Sequence, residues 1–415
     1  MRPKTPPKSQ TVCRRVRLFA DAEARQTLRR WFGCVRKTYN MALEALKTRK
    51  WKSGVILNKF WLRDRFVSAN NVPSRFKYLL DTPKHVREHA VFDLFNAYMT
   101  NFKKRKKQPD HVFDIKFRSK KDSQAIVIPK DAIKTLEDGS VIMFPRMFRG
   151  VLKTVTRSRG REQAVLSPSK RLAHDCRLVM DRVGRFYLCV PIDKATPTSR
   201  AYRGDDQAPD APPRIGSCDP GVRTFLTVYG ARDGVALKIG DGDGTRLFRL
   251  MLHLDRMIAR TKRSRCRRMR RRLRRAQDRQ RKRITDLVAE VHRKAVRTLL
   301  DEFDVIIIPS FETSRMSRRA GRILATRTVR QMTTWSHYAF RTRLVQTAAA
   351  EGKSVVVAGE EYTSKTCTSC GWMNDRLGGA KQFRCRACNV TTDRDLAGAR
   401  NILLKNVDLV AAMAA

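Results

Sequence analysis

Four cysteines near the C-terminal end of the chain have the spacing of a structural zinc site. Cys367 and Cys370 form one Cys-x2-Cys pair, Cys385 and Cys388 form a second, and fourteen residues separate the two pairs. Two such pairs can bring four thiolates around one tetrahedral Zn²⁺. The alternative, four buried or disulfide-paired cysteines, is disfavoured because the spacing lies so close to known zinc patterns. We therefore predict a zinc ribbon over residues 362–392 with one structural Zn²⁺.

Several carboxylates stand where they could bind a hard divalent cation. Asp219 ends a predicted strand just before a Pro-Gly turn, and Asp393 and Asp395 open a predicted helix. A turn or helix-capping role would explain any one of these residues alone, and one of the helix pair could cap while the other binds metal. Three such acids could hold two Mg²⁺ or Mn²⁺ ions about 3.5 to 4 Å apart, which would activate water and stabilise the leaving oxygen in attack on a phosphodiester.

The third acid of such a set is expected at the end of the buried strand 305–308, but that position is Pro309. Three glutamates could replace it. Glu312 lies three residues further on, and Glu360 and Glu361 follow the next predicted strand. The carboxyl ends of neighbouring parallel strands share one edge of a sheet, so a glutamate there could reach the same metal site. We favour Glu360, followed by Glu312 and then Glu361.

The charge balance predicts a polyanionic partner. The 415 residues include 89 Lys and Arg against 39 Asp and Glu, which gives a formal charge of +50. Such an excess repels itself in a compact state unless a polyanion neutralises it, and nucleic acid is the abundant polyanion of cells. A membrane surface is disfavoured because no amphipathic anchor with an aromatic face stands out. The lack of a signal peptide and the scattered remaining cysteines favour a soluble protein of a reducing, intracellular compartment.

Two basic clusters are candidate phosphate contacts. Residues 256–283 hold sixteen Arg or Lys and one acid, and Lys103–Lys107 is a second basic run. A solvated helix face is the alternative, but like charges four residues apart repel by a few tenths of a kcal/mol per pair and so favour a counter-charge. We expect contacts that position nucleic acid and do not read its sequence. The predicted nucleic-acid-binding residues are Arg267, Arg268, Arg271, Arg272, Lys104 and Arg105.

The surrounding patterns predict a multidomain protein with α+β and α/β parts. Its segments are a mobile basic arm (1–10), an antiparallel β-barrel or curled sheet (11–20 and 112–194) interrupted by a helical block (21–111), a proline-rich linker (195–213), and an α/β domain (214–361 and 393–415) into which the zinc ribbon is inserted. In the α/β domain the predicted strands are 215–218, 224–229, 235–239, 305–308 and 355–358, and the predicted helices are about 245–300, 328–350 and 394–404.

Four segments of the second half carry a distinctive combination of motifs. They are Asp-Pro-Gly-Val-Arg-Thr-Phe (219–225), the strand 305–308 with Glu-Thr-Ser-Arg-Met (312–316), Tyr-Thr-Ser-Lys-Thr-Cys-x2-Cys-Gly (362–371), and Cys-x2-Cys-x4-Asp-Arg-Asp-x2-Gly-Ala-Arg-Asn-Ile (385–402). Together they resemble the TnpB nucleases, and most closely the eukaryotic and viral relatives of these proteins, the Fanzor proteins. Upstream, Tyr39-Asn40 and Lys-Phe-Arg-Ser-Lys (116–120) resemble the same family more weakly.

This resemblance implies a domain layout and a set of catalytic residues. The β domain would be a wedge β-barrel, the inserted helices a recognition domain, and the C-terminal part a RuvC-like domain of RNase H fold. The first and last catalytic acids of the family fall on Asp219 and Asp395. Pro309 departs from the usual TnpB glutamate, and Fanzor-like proteins are similar in having moved that acid to a position before the Tyr-Thr-Ser-Lys-Thr-Cys segment, which supports Glu360.

The resemblance also implies an activity and its partners. A ribonucleoprotein with a guide RNA would cut both strands of a double-stranded DNA target by a two-metal RuvC mechanism, with no protein oligomer required. Two alternatives stay open: an RNA-guided DNA-binding protein without catalysis, which Pro309 favours, and a transposase or recombinase that joins strands. The basic arm and Lys103–Lys107 would suit a nuclear location in a eukaryotic or eukaryotic-virus host.

Overall fold

The computed structural model describes residues 9–48, 58–154, 156–158, 161–163, 172–195, 212–232, 234–317, 325–359, 361–374, 378 and 380–408. Two compact units divide the chain, one over residues 11–193 and the other from residue 194 onward. Residues 1–8 of the predicted arm and residues 196–211 of the predicted linker lie outside the described residues. Among the described helices, none has the length and apolarity needed to cross a membrane.

In its described part, the first unit combines short strands with three α-helices. Its elements are β1 (Ser9–Leu18), α1 (Ala22–Thr48), α2 (Lys59–Phe66), α3 (Lys84–Lys107), β2 (Gln124–Ile128), β3 (Ile133–Thr135), β4 (Val141–Met143), β5 (Thr156–Ser158), β6 (Arg161–Gln163), β7 (Cys176–Met180) and β8 (Phe186–Ala195). Three 3-10 helices lie at Ala69–Asn71, Ser74–Asp81 and Lys130–Ala132. Four strands form a sheet in the order β1-β8-β7-β2, while β3-β4 and β5-β6 are antiparallel hairpins.

Strand pairing in this unit continues beyond the sheet through isolated bridges. Phe19, just after β1, pairs with Lys153, and the neighbouring Leu152 pairs with Val141 of β4. The strand pairing therefore continues from the edge of the sheet at β1 to the β3-β4 hairpin, so the sheet curls.

Helix α1 packs its apolar stripe on this curled sheet. Apolar residues recur along it every three or four positions, as in an amphipathic helix, and Trp31 and Phe32 are only 1% exposed. The Phe32 ring stacks on Phe186 of β8 with 6.1 Å between centroids. Helices that interrupt the strands in sequence thus share one hydrophobic core with them.

The second unit is a mixed α/β structure. Its elements are β9 (Ile215–Pro220), β10 (Leu226–Gly230), β11 (Ala236–Ile239), α4 (Asp243–Arg263), α5 (Arg267–Glu302), β12 (Val305–Pro309), α6 (Thr313–Met316), α7 (Thr326–Trp335), α8 (His337–Ala350), β13 (Ser354–Ala358), β14 (Gln382–Arg384), β15 (Thr391–Asp393) and α9 (Arg394–Lys405). The five-stranded sheet has the order β11-β10-β9-β12-β13, and β14 pairs antiparallel with β15. Strands β9, β10 and β11 pair antiparallel, whereas β12 runs parallel to both β9 and β13.

Strand β12 is buried on both faces, and this places helices on both sides of the sheet. Successive side chains of a strand point to opposite faces. Ile306 and Ile308 belong to the core formed with α4, α5 and α8, whereas Ile307 packs with Ile402 and Leu403 of α9. The central sheet therefore lies between a helical layer on one side and α9 on the other.

The predicted single helix over about 245–300 is wrong, because the structure divides it into α4 and α5. Ser264 and Cys266 adopt extended backbone conformations between the two helices. The helices fold back antiparallel, and Gln277 of α5 donates hydrogen bonds to the Thr261 hydroxyl (2.6 Å) and the Met257 carbonyl (3.2 Å) of α4. The turn contains neither glycine nor proline, so the continuous helical pattern does not reveal it.

The predicted helix over about 328–350 is likewise two helices, α7 and α8. Ser336 between them has a φ of 52°, in the left-handed region that ends a helix. The Trp335 carbonyl just before this break accepts a hydrogen bond from His292 Nε2 at 2.8 Å. A tertiary contact from α5 thus occupies the carbonyl where the helical pattern is interrupted.

Candidate functional site

Asp219 lies near the end of β9, and contacts with Thr224 and Trp335 fix the backbone of the turn that follows it. Its side chain is partly buried, and Thr227 of β10 is its cross-strand neighbour. A Cβ on Gly221 would lie 2.5 Å from the Thr224 carbonyl oxygen, so the turn requires glycine there. Trp335 Nε1 donates to the Val222 carbonyl at 3.0 Å. These contacts fix the backbone from which the Asp219 carboxylate projects.

The two aspartates at the start of α9 have different roles. Asp393 is the N-cap: its Oδ1 accepts hydrogen bonds from the backbone N–H groups of Asp395 (3.0 Å) and Leu396 (3.2 Å). Burial raises the pKa of Asp393, but the Lys238 ammonium and these N–H donors outweigh it and lower the pKa below its usual value. Asp393 therefore caps the helix, and the partly buried Asp395 is the acid of the pair left in the first turn to bind a ligand.

The structure brings Asp219 into contact with the first turns of α9. A Cβ placed on Gly398 would lie 2.5 Å from Asp219 Oδ2, so the carboxylate rests directly against the helix backbone. Two positions earlier in β9, Ser217 Oγ donates to the Ala399 carbonyl at 2.7 Å. Gly398 follows Asp395 by three residues, which is about one helical turn or 4.5 Å of rise. Asp219 and Asp395 thus lie on neighbouring elements that touch.

Of the three glutamates considered for the third acid, the structure describes two. Glu360 lies outside the described residues. Glu361 is exposed, and its Oε2 accepts a hydrogen bond from Lys405 Nζ at 2.7 Å, which lowers the pKa of Glu361. Since Lys405 is the last residue of α9, this contact holds Glu361 at the opposite end of the helix from Asp395. Glu312 is exposed beyond β12, four residues before the end of α6.

Lys238 is a site residue that sequence reasoning missed. It lies in β11 opposite Thr227, and its Nζ donates to Asp393 Oδ2 at 2.6 Å. This hydrogen bond, together with the charges of Asp393, Asp395 and Asp241, raises the pKa of Lys238. A single lysine in a short strand carries no signal in the sequence, and only the register of the sheet places it beside α9.

A cluster of aromatic rings supports the turn after Asp219 and was also missed. Phe225 stacks on His292 and on His337, each with 5.2 Å between ring centroids, and contacts Trp335 at 4.9 Å. Burial lowers the pKa of His292 to about 4. Burial and the nearby His292 lower the pKa of His337 to about 3. Both histidines are therefore neutral packing residues at physiological pH, a role that isolated histidines in a sequence do not reveal.

The four ribbon cysteines converge on one point. All four Sγ atoms lie within 4.8 Å of one another, with 3.7 Å between those of Cys367 and Cys388 and 3.5 Å between those of Cys370 and Cys385. A tetrahedral Zn²⁺ with bonds of about 2.3 Å separates its sulfur ligands by about 3.8 Å. The backbone N–H groups of Ala387 and Cys388 point at Cys385 Sγ, each at 3.4 Å. The cluster fits a zinc ion in size, geometry and ligand type.

The pKa values of these thiols differ because the thiols lie so close together. Burial raises the pKa of Cys367, but backbone N–H groups of Cys370 and Ser369 outweigh it and lower that pKa to about 6. In contrast, although the Trp372 backbone lowers the pKa of Cys370, burial and the neighbouring thiols raise it to about 12. Four thiolates this close together repel one another, and a divalent cation at their centre removes that cost.

The predicted basic residues form exposed surfaces in each unit. In α5, arginines on successive turns line one groove, namely Arg268, Arg271, Arg272, Arg275 and Arg279. Arg267 at the start of the helix is exposed as well, and so are Lys104 and Arg105 in the last turn of α3. Such rows of guanidinium groups can contact successive phosphates of a nucleic-acid strand.

Comparison with known proteins identifies two matching family models. Residues 337–402 match the model described as Cas12f1-like, TNB domain, which covers α8, β13, the ribbon and most of α9. Residues 13–54 match the OrfB/IS605 helix-turn-helix domain.

Three individual proteins illustrate the similarity. The putative transposase A625R of Paramecium bursaria Chlorella virus 1 is 29% identical over 405 residues, 94% of this chain and 86% of that protein. The putative RNA-guided DNA endonuclease InsQ of Escherichia coli is 24% identical over 413 residues, 91% of this chain and 87% of that protein. The cryo-EM structure of a Cas12f1-sgRNA-target DNA complex matches with a TM-score of 0.46 and 14% identity, over 95% of this chain and 98% of that chain. The chain is thus similar to proteins of the TnpB/IS605 transposase-like family along most of its length.

Proposed function

We propose that this protein is an RNA-guided DNA endonuclease that hydrolyses phosphodiesters at a RuvC-like site. The observation that carries the proposal is the placement of the Asp219 carboxylate against Gly398, one helical turn from Asp395. Two carboxylates on touching elements are what a divalent-cation site needs, and a strand end and a helix start hold them more firmly than loops would. The name of the E. coli relative, which matches along 91% of this chain, agrees with this activity.

The strand order of the second unit supports its assignment as the nuclease domain. Three antiparallel strands followed by two parallel ones, with a helix against β9, are the arrangement expected of an RNase H-like fold. We assign residues 214–361 and 393–415 to this RuvC-like domain and residues 362–392 to the inserted zinc ribbon. In the first unit, we assign residues 11–20 and 112–194 to a wedge domain and residues 21–111 to a recognition domain.

The residues of the site fit Mg²⁺ or Mn²⁺, since carboxylate oxygens are the donors that these cations prefer. A bound pair of such ions would supply an activated water and stabilise charge on the leaving oxygen. The chain itself orients the acids: β9 and the turn held by Trp335 position Asp219, and the Asp393 cap fixes the first turn that carries Asp395. The zinc ribbon uses sulfur donors, so the two sites take different metals.

Glu360 is our proposed third acid, because it follows the end of β13 by two residues and β13 is the strand that pairs with β12. Pro309 pairs with Ala358, and Ile307 pairs with Val356. Ile307, Val356 and Ala358 pack together with α9, so every second residue of β13 points to the face that Asp219 occupies. Glu360 itself lies outside the described residues, and its assignment rests on the resemblance of the segment that follows it to the family.

We propose a guide RNA and a double-stranded DNA target as the partners. The arginine groove of α5 and the basic end of α3 supply the phosphate contacts, and the formal charge of +50 agrees with a bound polyanion. Nuclear localisation remains a prediction that rests on the basic segments. The narrower placement beside the Fanzor proteins is likewise a proposal, which Pro309 at the end of β12 supports.

Cleavage by the purified ribonucleoprotein tests the function. The protein is purified with its co-expressed RNA, the RNA is sequenced, and a linear DNA matching the guide is added with Mg²⁺. We expect wild-type protein to cut this DNA, while Asp219→Asn, Asp395→Asn and Glu360→Gln still retain RNA and bind DNA but do not cut. Glu361→Gln is the matched control, because its carboxylate is engaged by Lys405, and it should cut normally.

Other outcomes would select a different function. Guided binding without cleavage by the wild-type protein would indicate the non-catalytic DNA-binding alternative, which the proline at position 309 favours. Strand-transfer products would indicate a transposase, the activity named for the chlorella-virus relative. Loss of cleavage in Glu361→Gln and not in Glu360→Gln would reassign the third acid.

A further inference from the structure

Lys238 stands in one row with Asp219 across three strands. Thr227 of β10 is opposite Asp219 on one side and opposite Lys238 on the other. Residues directly opposite in antiparallel strands project from the same face. The Lys238 side chain therefore projects from the face where Asp219 meets α9, and its length allows it to reach the start of that helix.

The ammonium of Lys238 and the α9 backbone bind different oxygens of one carboxylate. Lys238 Nζ donates to Asp393 Oδ2 at 2.6 Å, while Oδ1 of the same residue accepts the N–H groups of Asp395 and Leu396. Both oxygens of the Asp393 carboxylate are therefore held by hydrogen bonds. A continuous chain of hydrogen bonds connects β11, through Asp393, to the backbone of Asp395.

The charges around Lys238 show why a cation is needed at this position. Asp393, Asp395 and Asp241 all lie close enough to interact with its ammonium. Without Lys238, Asp393 would lose its positive partner from the sheet, and uncompensated repulsion between Asp393 and Asp395 would loosen the cap that orients Asp395. Charge compensation by Lys238 holds Asp393 in its capping role.

We propose that Lys238 is a positioning residue that acts through Asp393 to orient Asp395. This inference rests on the proposed function. The Lys238–Asp393 pair is also partly solvent-exposed, with 44% and 40% of the side chains accessible. Exposed ion pairs add little to stability, so its removal should affect the site far more than the fold.

The test compares Lys238→Met, Lys238→Arg, Asp393→Asn and the Lys238→Met/Asp393→Asn double variant as ribonucleoproteins. Binding of Mn²⁺ is measured by electron paramagnetic resonance, and cleavage is measured against Mg²⁺ concentration. Loss of a residue that orients a metal ligand typically costs 10- to 100-fold in metal affinity or activity, so we expect at least about a tenfold loss of Mn²⁺ affinity in Lys238→Met. Lys238→Arg should keep most of the wild-type Mn²⁺ affinity, because arginine retains the positive charge and the hydrogen-bond donor.

Two features of the result separate positioning from other roles. Because the inferred path runs through Asp393, the double variant should lose no more affinity than the more affected single variant. Lys405→Met is the matched control, since it removes a lysine–glutamate pair at the other end of α9, and it should leave Mn²⁺ binding unchanged. The inference would be overturned if the fold-loss of Mn²⁺ affinity in the double variant equalled the product of the two single losses. A similar loss in Lys405→Met would also overturn it.

The Mn²⁺ measurement also keeps this inference separate from the proposed function. If the wild-type protein binds Mn²⁺ through Asp219 and Asp395 but does not cut DNA, the nuclease proposal fails while the role of Lys238 is still decided by the affinities. If Asp219→Asn and Asp395→Asn bind Mn²⁺ as tightly as the wild type, there is no metal site for Lys238 to organise, and the inference is rejected.

Discussion

The Asp219 carboxylate and Gly398 lie closer together than any side chain at position 398 would allow. An added Cβ would come within 2.5 Å of Oδ2 and 3.3 Å of Cγ of Asp219. Glycine inside a helix is ordinarily unfavourable, by about 1 kcal/mol relative to alanine. Its presence in α9 is explained by this contact, which joins the sheet and the helix that carry the two proposed acids.

Gly398→Ala should therefore disable the site. The new methyl group must push Asp219 or α9 away, and a displacement of about 1 Å in a catalytic group can reduce the rate about a hundredfold. We expect guided DNA cleavage to fall by about that factor while RNA binding is retained. Cleavage and RNA retention are measured on the same preparation.

Gly33→Ala in α1 is the matched control for this substitution. Gly33 also lies inside a helix, but its nearest neighbour to an added Cβ is the tip of Arg36 at 4.0 Å. Alanine should raise the unfolding free energy by about 1 kcal/mol there and leave cleavage unchanged. Equal cleavage by the two variants would show that the Asp219–Gly398 contact has no catalytic importance.

Cys385→Ser should release zinc. Cys385 is fully buried within the ribbon, and its Sγ accepts two backbone N–H groups besides facing the other three thiols. Structural zinc contributes directly to folding free energy, so the thermal midpoint should fall together with the metal content. Metal content is measured by mass spectrometry. Cys266→Ser changes an exposed cysteine outside the cluster and should alter neither quantity; zinc retained in Cys385→Ser would refute the assignment.

Neutralising Arg267, Arg268, Arg271 and Arg272 together should weaken RNA binding and its dependence on salt. Each lost phosphate contact removes about 0.7 to 0.9 from the slope of log affinity against log salt concentration, so four lost contacts remove about three units. Filter-binding titrations at several salt concentrations measure this slope.

Basic residues further along the same helix provide the control for the arginine substitutions. Lys282, Lys294 and Arg297 already form ion pairs with Asp286, Glu290 and Asp301. Their replacement by glutamine should change the slope by less than one unit. An unchanged slope in the arginine variant would place the groove away from the RNA.

We expect the free energy of unfolding to decrease in mild acid because of two buried histidines, His292 and His337. Burial lowers the pKa of His292 to about 4 and that of His337 to about 3, whereas both titrate near 6.5 when unfolded. Between these values the unfolded chain binds more protons, so stability is constant above about pH 6.5 and falls as the pH drops toward 4. At about 1.4 kcal/mol per pH unit, His292 alone accounts for about 3 kcal/mol.

His337→Phe separates this effect from general acid denaturation. Neither ring nitrogen of His337 has a well-formed hydrogen bond, and the ring stacks on Phe225, so phenylalanine should be tolerated at pH 7. Thermal unfolding between pH 4 and 7 should show a shallower decline than in the wild type. A parallel decline would mean that other groups cause the acid sensitivity.

Much of the second unit is predictable because its signals are local. The buried run at 305–308, the strand 355–358 and the helix from 394 follow directly from apolar patterning, and the cysteine spacing alone predicts the metal cluster. The strand end and Pro-Gly turn around Asp219 are local signals of the same kind, and the structure places Asp219 near the end of β9 as predicted.

What the sequence could not supply depends on tertiary placement. The breaks at Ser264–Cys266 and Ser336 lack the usual glycine or proline, so an unbroken pattern runs through them. Asp393 and Asp395 are chemically identical, and only the hydrogen bonds at the start of α9 distinguish the cap from the remaining acid. Lys238 acquires its role from the register of β11, which no spacing of residues reveals.

The zinc ribbon is inserted in the chain between β13 and α9. In sequence, its N-terminal end follows the proposed Glu360, and its C-terminal end leads into the helix that carries Asp395. Chelators should for this reason abolish the proposed DNA cleavage in two stages. The first stage, loss of the divalent cations from the acidic site, would be rapid, and added Mg²⁺ would reverse it. The second would be slow, as zinc is withdrawn and α9 loses its anchor, and added Mg²⁺ alone would no longer rescue it.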